Sequence, residues 1–199
     1  MKTWKFLVWI FAFLFSGFYA YERISKEDKV IPNEISNQEI QMISKFVENS
    51  KYQQDFVFLI DFKKPSNTHR FYIYDLKKSK ILGKGMVSHG SGSQVKGSSN
   101  LKFSNIEGSY QSSLGKYEIA EKYSGKFGKS YRLKGLDASN SNAMERAIVL
   151  HSLDCVPDSE LKTPLCLSLG CPMVSPKFLD TLQSYIEKSK KPVILYAFY

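Results

Sequence analysis

A cysteine and a histidine in the second half of the chain have the chemistry of a nucleophile and its base. Cys171 lies in "SLGCPMVSP", residues 168–176, and His151 lies twenty residues upstream in "RAIVLHSLD". A thiolate is a strong nucleophile, and a neighbouring imidazole can generate it by taking the thiol proton. The pair predicts covalent catalysis of acyl transfer. The alternative is that Cys171 is a small buried apolar residue.

The residues around Cys171 fit acyl transfer. Gly170 permits a tight turn, so nearby N–H groups can point at one spot and stabilise the oxygen of a tetrahedral intermediate. Pro172 has no N–H, which leaves the amides of Gly170 and Cys171 as the expected donors. His151 ends an apolar run, so we expect a strand end to hold it rigidly.

The elements that must position these residues are mainly strands. Seven segments are rich in β-branched and aromatic residues, and polar turn sequences or loops separate them. They are 55–62, 70–76, 80–90, 115–124, 129–136, 146–152 and 192–199. This pattern predicts one mainly β domain of the α+β class, with Cys171 in a loop outside the strands.

Two helices accompany the strands. Ser36 followed by Glu39 is a capping box, and apolar residues at helical spacing follow it within 36–51. Ser175 as N-cap and Pro176 at the first helical position begin a second helix directly after the cysteine loop. The sequence thus predicts a leading helix and a helix after the catalytic loop.

The first twenty residues have the layout of a secretory signal peptide. Lys2 and Lys5 precede an apolar run over 6–15, and Ala20 offers a small residue for cleavage. The alternative is an uncleaved N-terminal membrane anchor. In both cases we expect export to the periplasm or cell envelope, with an N-terminal arm and helix over 21–50 and a catalytic domain over 51–199.

The overall charge is basic but not concentrated. The formal net charge is +9, and the basic residues are spread along the chain without a dense tract. The charge fits a solvated surface, or else attraction to an anionic polymer outside the cytoplasm. An exported chain without a basic motif interleaved with aromatic residues is not expected to bind nucleic acid.

Three stretches carry a family resemblance. They are "FSNIEGSYQSSLG" (103–115), "AIVLH" ending at His151, and the Ser-Leu-Gly-Cys run that follows that histidine after a spacer of sixteen residues. Over about 35–199 the chain resembles the murein L,D-transpeptidase catalytic domain family, a branch of the YkuD-type L,D-transpeptidases. The family pattern is a histidine, a spacer of about this length, and Ser/Thr-x-Gly-Cys. The resemblance implies a YkuD-like β-sandwich or open barrel.

The resemblance also implies a reaction on peptidoglycan. Cys171 would attack the third residue of a tetrapeptide stem and release D-alanine, His151 would be the base, and Gly170 and Ser168 would complete the site. An amine from a second stem would then form a cross-link. The alternatives are hydrolysis, as in an L,D-carboxypeptidase, and a non-catalytic cell-wall-binding domain. The resemblance implies no cofactor or metal, and it does not indicate an oligomeric state.

Several residues are candidates for the wall of the substrate cleft. The resemblance suggests this role for His89, Gly90, Asn105, Tyr110 and Ser112, although each could equally serve a turn or the core. The murein branch often has an Arg-Ser pair before the motif, where this chain has Leu167 and Ser168. We therefore expect substrate contacts to differ at this position.

The cysteines are three in number, so an exported chain cannot pair them all. If Cys171 is the nucleophile it must stay free, which predicts a Cys155–Cys166 disulfide across a turn-rich segment. The alternatives are that both stay reduced, or that Cys166 pairs with Cys171 and inactivates the enzyme. A different class of site would use His151 and all three cysteines as zinc ligands, although no C-x-x-C motif is present.

Overall fold

The strands form one sheet whose two edges are neighbours in the sequence. The computed structural model describes residues 34–48 and 50–199, and nine strands are paired within them in the order β3-β2-β1-β9-β5-β6-β7-β8-β4. Only Met86 separates the edge strands β3 and β4, so the sheet curves round into a nearly closed barrel. The strands are β1 Phe56–Asp61, β2 Phe71–Asp75, β3 Lys80–Gly85, β4 Val87–Ser88, β5 Gly115–Gly125, β6 Gly128–Gly135, β7 Val149–Ser152, β8 Met173–Val174 and β9 Ile194–Phe198.

The centre of the sheet is buried on both faces. β1 and β9 pair in parallel, with Phe58 opposite Leu195, and almost every residue of the two strands is buried. Strands buried on both faces read as continuous apolar runs rather than as alternation. This explains the uninterrupted "FVFLI" and "ILYAF" of the sequence.

The two α-helices among the described residues are α1, Asn37–Val47, and α2, Pro176–Lys188. α2 begins at the N-cap Ser175, whose Oγ accepts a hydrogen bond from the Phe178 N–H at 3.1 Å. Its buried residues, Phe178, Leu179 and Leu182, join the main apolar cluster. Each such side chain contributes about 1.5–3 kcal/mol when fully buried, so α2 anchors the chain immediately after the cysteine loop.

The predicted mainly β fold with two helices is confirmed within the described residues. Two details differ from the sequence prediction. The segment 80–90 divides into β3 and β4 at Met86, and the cysteine loop leads into β8, a strand of two residues. A strand this short has no measurable periodicity, so only its pairing reveals it.

The predicted signal peptide or anchor over 1–20 lies outside the described residues. Within the described part of the chain, no helix has the length and apolar character needed to cross a membrane.

Candidate active site

Parallel pairing of β7 with β8 brings the cysteine loop beside the histidine strand. His151 pairs with Met173 and Ser152 with Val174. The Cys171 thiol therefore reaches β7 two residues before His151, where the Val149 N–H lies 3.4 Å from Sγ. The Sγ atom also contacts the Ala147 carbonyl oxygen at 3.8 Å.

The His151 imidazole is held in one orientation. Its Nδ1 lies 3.2 Å from the Ser152 carbonyl oxygen, which can only accept a hydrogen bond. Nδ1 therefore carries the proton, and Nε2 is the basic nitrogen. The ring stacks on Phe127 at 4.4 Å between centroids and is only 2% exposed. This burial lowers the pKa of His151, against an opposing effect of the Ser152 hydrogen bond, so the resting ring is neutral.

The Cys171 thiol is free, half-buried and packed against the apolar core. Burial raises its pKa, and the Val149 N–H and the positive charge of Arg146 oppose that rise. The resting thiol is therefore protonated at neutral pH, and a base is needed to activate it. No hydrogen bond joins Sγ to the imidazole of His151 in the described part of the chain, where Sγ contacts Val149 and Ala147 instead.

The turn before Cys171 requires glycine and is fixed by Ser168. The Ser168 Oγ donates to the Cys171 carbonyl oxygen at 2.7 Å and accepts from the Gly170 N–H at 3.1 Å. Gly170 has φ +120°, and a Cβ there would lie 2.9 Å from the Gln111 carbonyl oxygen. Because Ser168 occupies the Gly170 N–H, the Cys171 N–H is the amide of this pair that has no acceptor among the described residues.

Arg146 is a residue of this site that the sequence analysis missed. Its guanidinium donates to the Ser104 carbonyl oxygen at 2.8 Å, to the Gln111 carbonyl oxygen at 2.5 Å and to Ser113 Oγ at 3.1 Å. It therefore holds the segment 104–113 beside the cysteine loop and places a positive charge near the thiol. In the sequence it is one basic residue among many, and no local signal distinguishes it.

The sequence profile of the L,D-transpeptidase catalytic domain matches residues 27–198. The chain belongs to this family. The resemblance carried by the histidine and Ser-Leu-Gly-Cys motifs is thereby confirmed.

Several solved structures of other proteins are similar to part of this chain. The L,D-transpeptidase from Mycobacterium smegmatis is 13% identical with a TM-score of 0.42, covering 73% of this chain and 59% of its own. The helical cell shape determining protein Pgp2 from Campylobacter jejuni is 16% identical with a TM-score of 0.44, and the match covers 81% of this chain and 56% of Pgp2. The L,D-transpeptidase from Xylanimonas cellulosilytica is 13% identical with a TM-score of 0.38, and the match covers 75% of this chain and 62% of the other. This chain thus spans less than two thirds of each of these chains, and no curated protein matches it.

Two of the predicted cleft residues of this L,D-transpeptidase domain support the cysteine loop. Ser112 Oγ accepts from the Gly90 N–H at 3.0 Å and donates to the Gly170 carbonyl oxygen at 3.2 Å. Gly90 packs so closely against this loop that a Cβ would lie 2.9 Å from the Gly170 Cα. Both residues are buried, so their contacts set the position of the loop.

The other predicted cleft residues differ in exposure. The Asn105 amide donates to the Ala138 carbonyl oxygen and to Ser141 Oγ, which ties its segment to the loop 138–142. His89 is buried and bonds to Arg70. Tyr110 is 53% exposed and is the one of the five with an exposed side chain. Leu169, which precedes the Gly-Cys pair, is also exposed.

The remaining cysteines bear on the zinc alternative. Cys155 and Cys166 are joined by a disulfide, so they cannot supply thiolate ligands. Among residues 34–48 and 50–199, no three or more His, Cys, Asp or Glu side chains are grouped as a metal site would require. The disulfide therefore removes Cys155 and Cys166 from the four zinc ligands that this alternative would need.

Proposed function

We propose that this protein is a peptidoglycan L,D-transpeptidase in which Cys171 is the nucleophile and His151 the base. One observation carries the proposal: the parallel β7–β8 pairing sets a free thiol beside the strand that bears an oriented, neutral histidine. Membership of the L,D-transpeptidase family supports the same roles.

The first half-reaction is acylation by a tetrapeptide stem. As Nε2 of His151 takes the thiol proton, Sγ of Cys171 attacks the carbonyl carbon of the third residue and forms an S–C bond. The developing oxyanion accepts a hydrogen bond from the Cys171 N–H. The bond to D-alanine then breaks, and the imidazolium returns its proton to the leaving amine.

The second half-reaction releases the enzyme. An amine of a neighbouring stem attacks the thioester carbonyl, the S–C bond breaks, and a new amide forms the cross-link. His151 takes the proton of the attacking amine and passes it to the departing thiolate. Attack by water in place of the amine would give the hydrolytic product of an L,D-carboxypeptidase.

We place this reaction outside the cytoplasm, in the periplasm or cell envelope. Peptidoglycan lies there, and the Cys155–Cys166 disulfide suits an oxidising compartment. The signal-like segment over 1–20 supports the same location.

The nucleophile is tested with defined muropeptides and mass spectrometry of the products. Cys171→Ala should abolish release of D-alanine while the folded structure persists. The matched control is the double variant Cys155→Ala/Cys166→Ala, which keeps the one free thiol and should keep turnover. Undiminished product from folded Cys171→Ala protein would overturn the proposal.

The base is tested with a carbapenem, whose strained ring acylates a cysteine nucleophile. His151→Ala should slow acylation of Cys171 by about a hundredfold or more at neutral pH, as expected for loss of a general base. His69→Ala is the matched control, because the His69 ring contacts the Asp158 carbonyl oxygen and its backbone N–H donates to Glu160, with no contact to Cys171 or His151 among these bonds. Equal acylation rates in His151→Ala and parent protein would remove His151 from the mechanism.

A further inference from the structure

A cavity of about 550 Å³ has several basic side chains in its wall, among them His89, whose backbone is hydrogen-bonded to Ser168 of the cysteine loop. Lys63, Lys64, Arg70, Lys96 and His89 contribute to its wall, and no aspartate or glutamate lines it. A concave site with one sign of charge attracts ligands of the opposite sign. Neither the family's catalytic pair nor the disulfide reaches into this cavity.

Arg70 is a buried cation at the base of this wall. The side chain is 1% exposed, and no carboxylate of the described residues forms an ion pair with it. Nε and Nη2 donate to the Val87 carbonyl oxygen, Nη1 donates to the Lys64 carbonyl oxygen, and Nη2 also donates to Nδ1 of His89 at 2.9 Å. One N–H of Nη1 is left over, because a guanidinium has five.

Burial also affects the pKa of Arg70. Burial lowers its pKa to about 9, and the negative charge of Asp61 opposes that shift. Burying a charge is unfavourable and the Asp61 charge offsets only part of this cost, so a bound anion would stabilise the arginine further.

His89 supplies a second donor. Since the guanidinium can only donate, Nδ1 of His89 is the acceptor and Nε2 carries the hydrogen. Nε2 is fully buried and has no hydrogen-bond partner among the described residues. The side chain is 4% exposed and lines the cavity, so the oxygen of a ligand bound there would satisfy this donor.

We propose that this cavity binds a carboxylate group of the stem peptide, at a site distinct from the Cys171–His151 pair. The remaining Nη1–H of Arg70 and the Nε2–H of His89 are two buried donors, which match the two oxygens of a carboxylate. Lys63 and Lys96 at the rim add attraction for the acidic peptide. The inference rests on the proposed function for the identity of the peptide.

The connection to the reaction is short. The Ser168 N–H donates to the His89 carbonyl oxygen at 3.0 Å, and the Ser91 N–H donates to the Ser168 carbonyl oxygen at 2.8 Å. Only Leu169 and Gly170 separate Ser168 from Cys171, so the Cα atoms of Ser168 and Cys171 are at most about 11 Å apart. The segment that bears His89 is thus hydrogen-bonded to the loop that bears the thiol, and we expect a carboxylate of the stem to enter the cavity while the reacting carbonyl lies at Cys171.

The test measures binding without turnover. Isothermal titration calorimetry on Cys171→Ala protein compares a tetrapeptide stem carrying free carboxylates with the same stem carrying carboxamides. We expect the free acid to bind at least tenfold more tightly. Adding Lys63→Gln and Lys96→Gln should remove most of this preference, whereas Lys190→Gln, an exposed lysine that does not line the cavity, should leave it unchanged.

A histidine variant and competing ligands test the site further. His89→Phe keeps a ring but removes both nitrogens, and it should weaken binding of the free acid selectively; the lysine variants answer the question if this variant does not fold. Equal affinity for acid and amide, or equal loss in Lys190→Gln, would overturn the site. Preferential binding of inorganic phosphate over the stem would also overturn it, because the cavity would then recognise a different anion.

Failure of the site and failure of the proposed function give different results. If the amidated stem acylates Cys171 of the parent protein as fast as the free acid, the carboxylate site is wrong and the transpeptidase proposal stands. If neither stem acylates Cys171, the proposed function is wrong, and the calorimetric preference still decides whether the cavity binds a carboxylate.

Discussion

The Cys155–Cys166 disulfide gives the most quantitative prediction for the stability of the site. The two residues are 11 apart in the sequence. In the chain-entropy relation, closing a loop of this size removes about 9 cal/mol/K from the unfolded chain. The double variant Cys155→Ala/Cys166→Ala should therefore lower the free energy of unfolding by about 2.8 kcal/mol at 25 °C.

Other contacts should preserve the native loop in this variant. Val156 and Leu165 are buried in a small cluster with Met86 and Met173, and the Ser88 hydroxyl donates to the Cys166 carbonyl oxygen. These contacts do not depend on the sulfur–sulfur bond. The loss should therefore come from the unfolded state, and acylation of Cys171 should change less than the stability does.

The assay is urea denaturation of parent and double variant, each with and without a thiol reductant. Without reductant, the variant should unfold at lower urea, and its thermal midpoint should fall by about 6–11 °C. With reductant, the parent should match the variant, whose own midpoint should not move. Equal unfolding free energies of oxidised parent and variant would refute the reasoning, and so would a Cys166–Cys171 cross-linked peptide from active protein.

Three further predictions concern the geometry around the thiol. Gly170→Ala should destabilise the fold by about 1–3 kcal/mol in urea denaturation, because alanine is strained at φ +120°; no change would contradict the tight turn. Arg146→Gln should move the pH midpoint of Cys171 alkylation by iodoacetamide to higher pH, because it removes a charge that lowers the thiol pKa; an unmoved midpoint would remove that role. Phe127→Ala should uncover His151 and raise its pKa towards 6.5. Because acylation needs the neutral ring, lowering the pH should reduce the acylation rate of Phe127→Ala at a higher pH than it does for the parent. The control Ser124→Ala should show the same pH dependence as the parent. If Phe127→Ala also shows the pH dependence of the parent, the stacking is unimportant.

Local patterns in the sequence were sufficient for much of the fold. The strand segments carry β-branched and aromatic residues, and Ser175 with Pro176 marks the start of α2; the sheet and helices follow these signals. The catalytic candidates His151 and Cys171 belong to one recognisable spacing. These features could be predicted because each depends on residues close together in the chain.

The arrangement of the site depended on contacts between distant segments. Cys171 meets Val149 only because a two-residue strand pairs in parallel with β7, and Phe127 reaches His151 from the β5–β6 hairpin. Arg146 looks like any other basic residue until the segment 104–113 folds against it. Pairing register and burial are properties of the whole sheet, and they set which donors, charges and rings surround a side chain. For that physical reason the local sequence was enough to predict the Cys171–His151 pair, whereas its protonation, orientation and neighbours followed only from the folded arrangement.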